Sequence, residues 1–297
     1  MPEIAASTYE NRTNVRVQGP LALRGSFRLM SHVAPETTGR LAARLFTHVH
    51  GAHRTDPREP HWLADATPFE LDAGGRRLAA WSWGDGPTVL LQHGWRGRGA
   101  QLGAFVAPLL EAGFSVVTYD APAHGASPGR FTNGVEFART IAAASRELHG
   151  LHAIVAHSLG ALSTAYALRR RLPVERLVFV GPPADMFGYL GQFSGAVGLT
   201  DRVRDLMCAH FETTLDFDWN EFSAERLAEA DRRVRGRQTP LLIVHDRGDR
   251  QASWKEGRRY HESWEGSRFL STSGLGHKRI LSDDGVVRTV VDFLGEA

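Results

Sequence analysis

The chain has 297 residues, of which 42% are hydrophobic and 23% are charged. This length accommodates one large α/β domain or two smaller ones, and the composition excludes a disordered or fibrous chain. Lysine and arginine total 35 against 33 for aspartate and glutamate, which leaves a formal net charge of +2. The charges form no one-signed block, so the sequence does not indicate a nucleic-acid partner.

The cysteine count and the hydropathy pattern bear on the cellular compartment. Cys208 is the single cysteine, which excludes an internal disulfide and gives no indication of an oxidising compartment. Residues 1–10 lack the basic and apolar pattern of a secretory signal, and no window reaches the roughly 18 apolar residues of a membrane span. We therefore expect a cytoplasmic location without stable membrane insertion.

Short apolar runs alternate with helix-period segments from about residue 69 onward, a pattern typical of a mainly parallel sheet with helices on both faces. The first two runs, 69–71 and 78–83, flank an Ala-Gly-Gly turn and predict a hairpin. Together with the later runs they predict an eight-stranded, mostly parallel sheet flanked by helices. The later strands are predicted at 88–92, 115–119, 153–156, 176–180, 241–245 and 267–271. The helices between them are predicted at 101–111, 134–148, 159–171, 254–264 and 284–294.

Two segments interrupt this alternation. Residues 184–237 follow the sixth predicted strand and are too apolar for a linker, which predicts an inserted helical cap with a flexible, glycine-rich start at 187–199. Residues 1–66 contain one predicted amphipathic helix at 35–49, begun by Ser31 or Pro35. The predicted domains are an N-terminal helical extension at 1–66, a core at 67–183 and 238–297, and the cap at 184–237.

The segment around Ser158 is the richest in chemical information. An apolar run at 153–156 leads directly into this serine and then into a predicted helix, and such a strand–turn–helix presents the hydroxyl above the end of the sheet. Small neighbours are required, because a bulky side chain at Ala156 or Gly160 would collide with adjoining backbone. The helix start supplies amide donors and a positive dipole end, which favour a developing anion. The alternative is an ordinary turn in which Ser158 only caps the helix.

Two backbone amides predict an oxyanion hole next to this serine. The strand at 88–92 ends in a histidine–glycine turn, where glycine allows the backbone to bend and the Trp95 amide to face Ser158. The amide of Leu159 would be the second donor.

An acid and a base follow at the ends of later strands. Asp246 and Asp249 come directly after the strand at 241–245, and a glycine-containing loop after the last strand carries His277. Nucleophile, acid and base therefore occur in the chain order Ser, Asp, His.

With these motifs in this order, residues 69–295 resemble the α/β-hydrolase fold family. The loop 120–127, Asp-Ala-Pro-Ala-His-Gly-Ala-Ser, is similar to the family's Asp-x-x-Gly-His-Gly-x-Ser loop after the fourth strand. Two departures are one-methyl changes: Ala156 stands for the first glycine of Gly-x-Ser-x-Gly, and Ala123 for a glycine of the loop. The resemblance implies an α/β-hydrolase fold with a helical cap inserted after the sixth strand.

The resemblance also implies roles for individual residues. It implies Ser158 as nucleophile, His277 as general base and Asp249 as the orienting acid. Asp246 and Asp185 remain alternatives for the acid, since some relatives of this fold place it after the sixth strand.

Other polar residues have simpler interpretations. We expect Asp120 and His124 to tie their loop together through hydrogen bonds, and His93 to anchor a turn. The neighbouring histidines His48, His50 and His53 lack a carboxylate or cysteine at ligand spacing, so no metal site is expected. No glycine-rich phosphate loop is present, so no cofactor is expected.

The implied activity is that of a serine hydrolase that cleaves a carboxylic ester or thioester through an acyl-enzyme on Ser158. The expected partner is a small molecule with an apolar acyl or aryl group, because the predicted cap is rich in aromatic residues, although most of these would also serve as its core. The candidate pocket residues are His157, Phe187, Tyr189 and Phe193. A carbon–carbon bond hydrolase or an acyltransferase with the same triad, and a receptor-like binding module with a vestigial triad, are the alternatives.

Overall fold

A computed structural model describes residues 20–51 and 59–296 of the chain. Within these residues the backbone clusters into two compact units. In described residues, the larger unit comprises 49–51, 59–184 and 223–296, and the smaller unit comprises 20–48 and 185–222.

The boundaries of the compact units differ from the predicted domain boundaries. The helices at 20–48, predicted as a separate extension, cluster with residues 185–222. Residues 223–237, predicted as the end of the cap, cluster with the sheet. One reason is that the Ala224 amide donates to the Ala184 carbonyl at 2.8 Å, which ties the start of this segment to the end of the preceding strand region.

The secondary structure of the described residues follows the predicted alternation of strands and helices. None of the described helices combines the length and apolar character that a membrane crossing needs. The strands are β1 Thr67–Asp72, β2 Arg77–Trp83, β3 Thr88–Gln92, β4 Ser115–Tyr119, β5 Leu151–His157, β6 Val174–Val180, β7 Leu241–Asp246 and β8 Arg268–Thr272. The helices are α1 Leu21–Val33, α2 Pro35–Phe46, α3 Glu59–Leu63, α4 Val106–Glu111, α5 Gly134–Glu147, α6 Leu159–Ala167, α7 Phe187–Val197, α8 Asp201–Leu215, α9 Ala224–Arg235, α10 Trp254–Ser263, α11 Gly276–Arg279 and α12 Asp284–Gly295. Short 3-10 helices cover Gly99–Phe105, Leu168–Arg170, Trp219–Glu221 and Ile280–Ser282.

In the larger unit, the eight strands of the described residues form one sheet in the order β1-β2-β4-β3-β5-β6-β7-β8. The pairs β1–β2 and β2–β4 are antiparallel, and the other pairs are parallel. Every residue of β4 and β7 is buried, as expected for strands covered on both faces, which is why their apolar runs are continuous in the sequence. The predicted eight-stranded, mostly parallel sheet is confirmed. Its parallel strands bring the segments that follow β3, β5, β6, β7 and β8 to one edge.

In the smaller unit, a separate core forms from apolar side chains of α1, α2, α7 and α8 together with Trp219. Helices α2 and α8 approach closely at Gly39, where an added Cβ would lie 3.2 Å from the Cβ of Leu206. Burial raises the pKa of the Cys208 thiol in this core to about 12, so the thiol is protonated at neutral pH and acts as a small apolar group.

The structure adds detail to two predictions for this unit. The glycine-rich segment predicted as a flexible start is helix α7, which ends where Gly198 adopts a φ of 78°. Burial of Leu190 and Val197 in the core stabilises this helix despite the low helix propensity of glycine. Helix α2 begins with Pro35 in its first turn, whereas Ser31 lies inside α1 and its hydroxyl donates to the Phe27 carbonyl at 2.7 Å.

Candidate active site

Ser158 lies between the end of β5 and the start of α6, with φ 54° and ψ −125°. A residue other than glycine in this region carries backbone strain of about 1–3 kcal/mol, which persists only where the surroundings impose it. The Ser158 amide donates to the Val180 carbonyl at 3.0 Å, and its own carbonyl accepts from Ala161 at 2.9 Å. Although Ser158 occupies the N-cap position of α6, its side chain makes no capping hydrogen bond. The geometry is therefore that of the predicted elbow rather than of a serine cap.

Close backbone approach around Ser158 explains the small residues of the motif. A Cβ added to Gly160 would lie 2.5 Å from the His93 carbonyl oxygen. A Cβ added to Gly94 would lie 2.8 Å from the Cβ of Ser158 and 2.9 Å from the His157 carbonyl oxygen. The loop after β3 and the elbow after β5 thus fit together only because both positions lack a side chain.

The His277 imidazole is bonded to the predicted acid. Its Nδ1 lies 2.6 Å from Oδ2 of Asp249, and both side chains are almost fully buried. A Cβ added to Gly181, directly after β6, would lie 3.2 Å from this Nδ1 and 3.3 Å from this Oδ2. Glycine at this position therefore leaves room for the pair. His277 itself stands in the short helix α11, where the sequence predicted a loop.

Asp249 is held from several directions. Its Oδ1 accepts from the amides of Gln251 at 2.8 Å and Ala252 at 3.1 Å. Burial by itself raises the pKa of the Asp249 carboxyl, but hydrogen bonds from His245 and His277 outweigh burial and hold that pKa well below its usual range. The carboxylate is therefore ionised at neutral pH and is able to orient an imidazole and stabilise its cationic form.

The two alternative carboxylates make other contacts. Asp246 accepts from the Thr272 hydroxyl at 2.8 Å and from the Leu275 amide at 3.0 Å, so it fixes the loop that leads to His277. Asp185 belongs to the smaller unit, where it accepts from the amides of Phe187 at 3.0 Å and Gly188 at 3.3 Å at the start of α7. Asp246 thus bonds the end of β8 and the segment after it, and Asp185 bonds the start of α7, whereas Asp249 bonds His277.

His157, directly before Ser158, contacts the base. Its Nε2 lies 2.9 Å from the His277 carbonyl oxygen, and the two ring centroids are 4.6 Å apart. Burial first, and then the neighbouring His277, hold the pKa of His157 well below its usual value. A neutral ring with its proton on Nε2 donates to this carbonyl. His157 therefore bonds the backbone of His277 from the position directly before Ser158.

The two predicted oxyanion donors belong to the start of α6 and to the loop after β3. Leu159 is the first residue of α6, and amides of a first helical turn have no acceptor within their helix. Trp95 follows Gly94 in the loop after β3, and its ring packs against that of His124 at a centroid distance of 5.5 Å.

Two buried histidines and Asp120, predicted to fix turns within their own loops, bond the loops after β3 and β4 to each other. His93 Nε2 accepts from the Ala121 amide at 2.9 Å, and His124 Nε2 accepts from the Arg96 amide at 2.9 Å. Burial lowers the pKa of His93 to about 4, so the ring is neutral and able to accept. Asp120 accepts from the amides of Gly99 at 2.9 Å and Ala126 at 2.7 Å.

The aromatic pocket candidates lie on α7 in the smaller unit. The Phe193 ring is 5.0 Å from that of Phe46, and the Phe187 ring is 6.3 Å from that of Trp219. Both therefore contribute to the core of their own unit, and Tyr189 is half-buried on the same helix. Their role as pocket residues stays a prediction.

A metal site does not emerge from the described residues. In the ranges 20–51 and 59–296, no three or more His, Cys, Asp or Glu side chains are grouped so that they would hold an ion. His48 and His50 fall within these ranges, and His53 lies outside the described residues.

One buried residue at this edge, His245, has no counterpart among the predicted site residues. It stands near the end of β7 with Nε2 3.5 Å from Oδ2 of Asp249. The available signal was a histidine inside an otherwise apolar run at 241–245, since an imidazole that is fully buried needs hydrogen-bond partners.

Comparisons with known proteins concern the fold. Residues 87–197 match the model of a protein family described as alpha/beta hydrolase fold. A search of curated proteins gives no match. An esterase from Pyrococcus furiosus aligns with a TM-score of 0.60 at 18% identity and covers 83% of this chain and 97% of that one. A bromoperoxidase from Bacillus anthracis aligns with a TM-score of 0.57 at 16% identity, covering 77% and 100%. A monoacylglycerol lipase from Paleococcus ferrophilus aligns with a TM-score of 0.56 at 21% identity, covering 73% and 98%.

Proposed function

Because this chain has the α/β-hydrolase fold, we propose that it is a serine hydrolase that cleaves a carboxylic ester or thioester. The observation that carries the proposal is the 2.6 Å contact between His277 Nδ1 and Asp249 Oδ2, formed at the sheet edge that also presents Ser158 on a strained elbow. An ionised acid, an imidazole and a serine at such an elbow are the parts that acyl transfer requires.

In the proposed mechanism, Ser158 Oγ attacks the acyl carbon while His277 takes its proton. The amides of Trp95 and Leu159 donate to the developing oxyanion. The protonated imidazole, stabilised by Asp249, then gives the proton to the leaving alcohol or thiol. Water, deprotonated by the same imidazole, attacks the acyl-enzyme and releases the carboxylic acid.

Support for an ester or thioester comes from the nucleophile and from the fold relatives. A serine hydroxyl forms an acyl-enzyme that water hydrolyses, and two of the similar structures are described as an esterase and a monoacylglycerol lipase. We propose an apolar acyl or aryl group, in keeping with the aromatic content of residues 187–222. Graded p-nitrophenyl esters, from acetate to laurate, would give the preferred acyl length.

Covalent labelling tests the proposal most directly. Wild-type protein should react with a fluorophosphonate probe, and Ser158→Ala should lose both the label and ester turnover, the latter by at least about 10⁴-fold. Ser163→Ala is the matched control, because Ser163 is a buried serine on the same helix and its replacement should leave labelling unchanged.

Each alternative activity has its own outcome in the same experiments. A folded wild-type protein that takes no label would favour a binding module with a vestigial triad. Labelling without ester hydrolysis, together with cleavage of a diketone or transfer to an alcohol, would favour a carbon–carbon bond hydrolase or an acyltransferase.

A further inference from the structure

His245 lies against the proposed acid in a position that binds both the carboxylate and its loop. It is fully buried near the end of β7. Its Nε2 is 3.1 Å from the Ala252 carbonyl oxygen and 3.5 Å from Oδ2 of Asp249. The Ala252 amide in turn donates to Oδ1 of Asp249 at 3.1 Å. One imidazole therefore contacts the carboxylate directly and also holds the residue that bonds its other oxygen.

The surroundings of the ring fix which nitrogen donates. Both groups near Nε2 are acceptors, so Nε2 carries the proton. On the opposite side, Nδ1 is buried without a hydrogen-bond partner among the described residues, and it faces Gly257 of α10. With acceptors only at Nε2, the ring donates from that nitrogen in this one orientation.

The same carboxylate oxygen also accepts from the base. Asp249 Oδ2 lies between His277 Nδ1 at 2.6 Å and His245 Nε2 at 3.5 Å. A carboxylate fixed only by the Gln251 and Ala252 amides through Oδ1 would retain rotation about its terminal bond, because that torsion is broad. Contact with His245 limits this rotation and keeps Oδ2 directed at the base.

We propose that His245 is a positioning residue that holds Oδ2 of Asp249 in line with His277, an inference that rests on the proposed hydrolase function. It acts through Asp249 and does not touch the reacting atoms. Its removal should therefore lower kcat and leave KM unchanged, since the ring is fully buried and acts only through Asp249.

The test compares His245→Met and His245→Gln with wild type, using a p-nitrophenyl ester. Methionine retains apolar volume without a donor, and kcat should fall about tenfold, the usual scale for a hydrogen bond to a charged group. Glutamine places an amide N–H near the position of Nε2 and should recover most of kcat. Unchanged kcat in His245→Met, or equal losses in both variants, would overturn the proposal.

A double-mutant cycle separates positioning from a general packing effect. In the background of Asp249→Asn, His245→Met should cause no further loss of kcat, because the group through which it acts is already gone. The same tenfold loss in both backgrounds would show a packing role and overturn the proposal.

Two further arms keep the result interpretable. If His245→Met does not fold, Gly257→Ala serves instead, because the added methyl displaces the imidazole while leaving its chemistry intact. It should lower kcat without changing KM, and a folded Gly257→Ala with wild-type kcat would overturn the proposal. Wild-type protein without Ser158-dependent turnover would overturn the proposed hydrolase function itself, and the inference with it.

Discussion

The sheet edge of the larger unit and the core of the smaller unit are held together by different kinds of interaction. At the sheet edge of the larger unit, buried polar groups such as His93, Asp120 and Asp249 each bond two or more partners. In the smaller unit, the rings of Phe46, Phe211 and Trp219 pack at centroid distances of about 6 Å. Hydrogen bonds are directional, whereas packing depends mainly on buried area. Substitutions at the sheet edge should therefore change function most, and those in the smaller unit should change stability most.

Glycines of the sheet edge and of α7 differ in the same way. Gly94 and Gly160 of the larger unit stand where an added Cβ would meet backbone or Ser158. Gly188, Gly191 and Gly195 on α7 have no atom within 4 Å of such a Cβ. At the sheet edge these glycines are a steric requirement, whereas in α7 they are a cost in helix propensity.

The largest expected effect is that of Asp249→Asn. An amide at this position cannot stabilise the imidazolium and favours the wrong tautomer of His277, so kcat should fall by about 10⁴-fold, as for the equivalent change in a serine protease. The rate of ester hydrolysis measures it.

Asp246→Asn is the matched control, three residues earlier at the end of β7. The substitution weakens the hydrogen bond from the Leu275 amide, so we expect lower stability and a loss of kcat below about tenfold. The reverse ranking of the two variants would transfer the role of acid to Asp246.

Next in size is the loss of an aromatic ring from the smaller unit. Phe211 is 7% exposed and lies 6.0 Å from Phe46 and 5.9 Å from Trp219. Phe211→Ala should lower the free energy of unfolding by about 3–5 kcal/mol, measured by urea denaturation. Phe187→Ala, at a half-buried position, should cost less. Equal losses at both positions would contradict a core centred on Phe211.

A pH dependence of stability should arise from His93. Its pKa is lowered from 6.5 to about 4 by burial, so the unfolded chain takes up this proton at a higher pH than the folded chain does. Its contribution is fully present above pH 6.5 and is lost as the pH falls toward 4, by about 3 kcal/mol in total. The buried groups around it are Arg98, His124 and, at greater distance, His157, whose lowered pKa acts in the same direction.

Urea denaturation at pH 7, 6, 5 and 4 measures this loss. His93→Gln should be less stable at pH 7 and should show a shallower decline below it. An unchanged decline in the variant would assign the pH dependence to other groups.

How far the sequence predicts this molecule depends on the kind of interaction. Each predicted strand lies within about two residues of the observed one, because buried parallel strands require continuous apolar runs. The elbow at Ser158 is also largely local, since Ala156 and Gly160 lie within two residues of it, although Gly94, which packs against it, comes from the loop after β3. The choice between Asp246 and Asp249 is not local, because it depends on which carboxylate reaches His277 across the sheet edge.

The remaining differences come from contacts that no local pattern encodes. Helix α7 is stable because residues distant in sequence, such as Phe46, cover Phe193. From the sequence alone, His245 is an ordinary buried residue of an apolar strand, because its contact with Asp249 is visible only in the fold. The clustering of α1 and α2 with residues 185–222 likewise depends on packing across more than a hundred residues of chain.

The smallest expected effect addresses the glycines of α7. Gly191 is exposed, and a methyl there would touch nothing within 4 Å, so Gly191→Ala should raise the free energy of unfolding by about 0.5–1 kcal/mol through helix propensity. Gly160→Ala is its counterpart in the larger unit, where the same methyl would lie 2.5 Å from the His93 carbonyl oxygen and should lower both stability and kcat. Thermal unfolding and ester turnover of the two variants give the comparison directly. If Gly191→Ala raises stability but lowers kcat severalfold, flexibility of α7 contributes to turnover, because a more stable helix opens less often. If kcat is unchanged, these glycines serve no catalytic motion and α7 acts as a fixed element of its core.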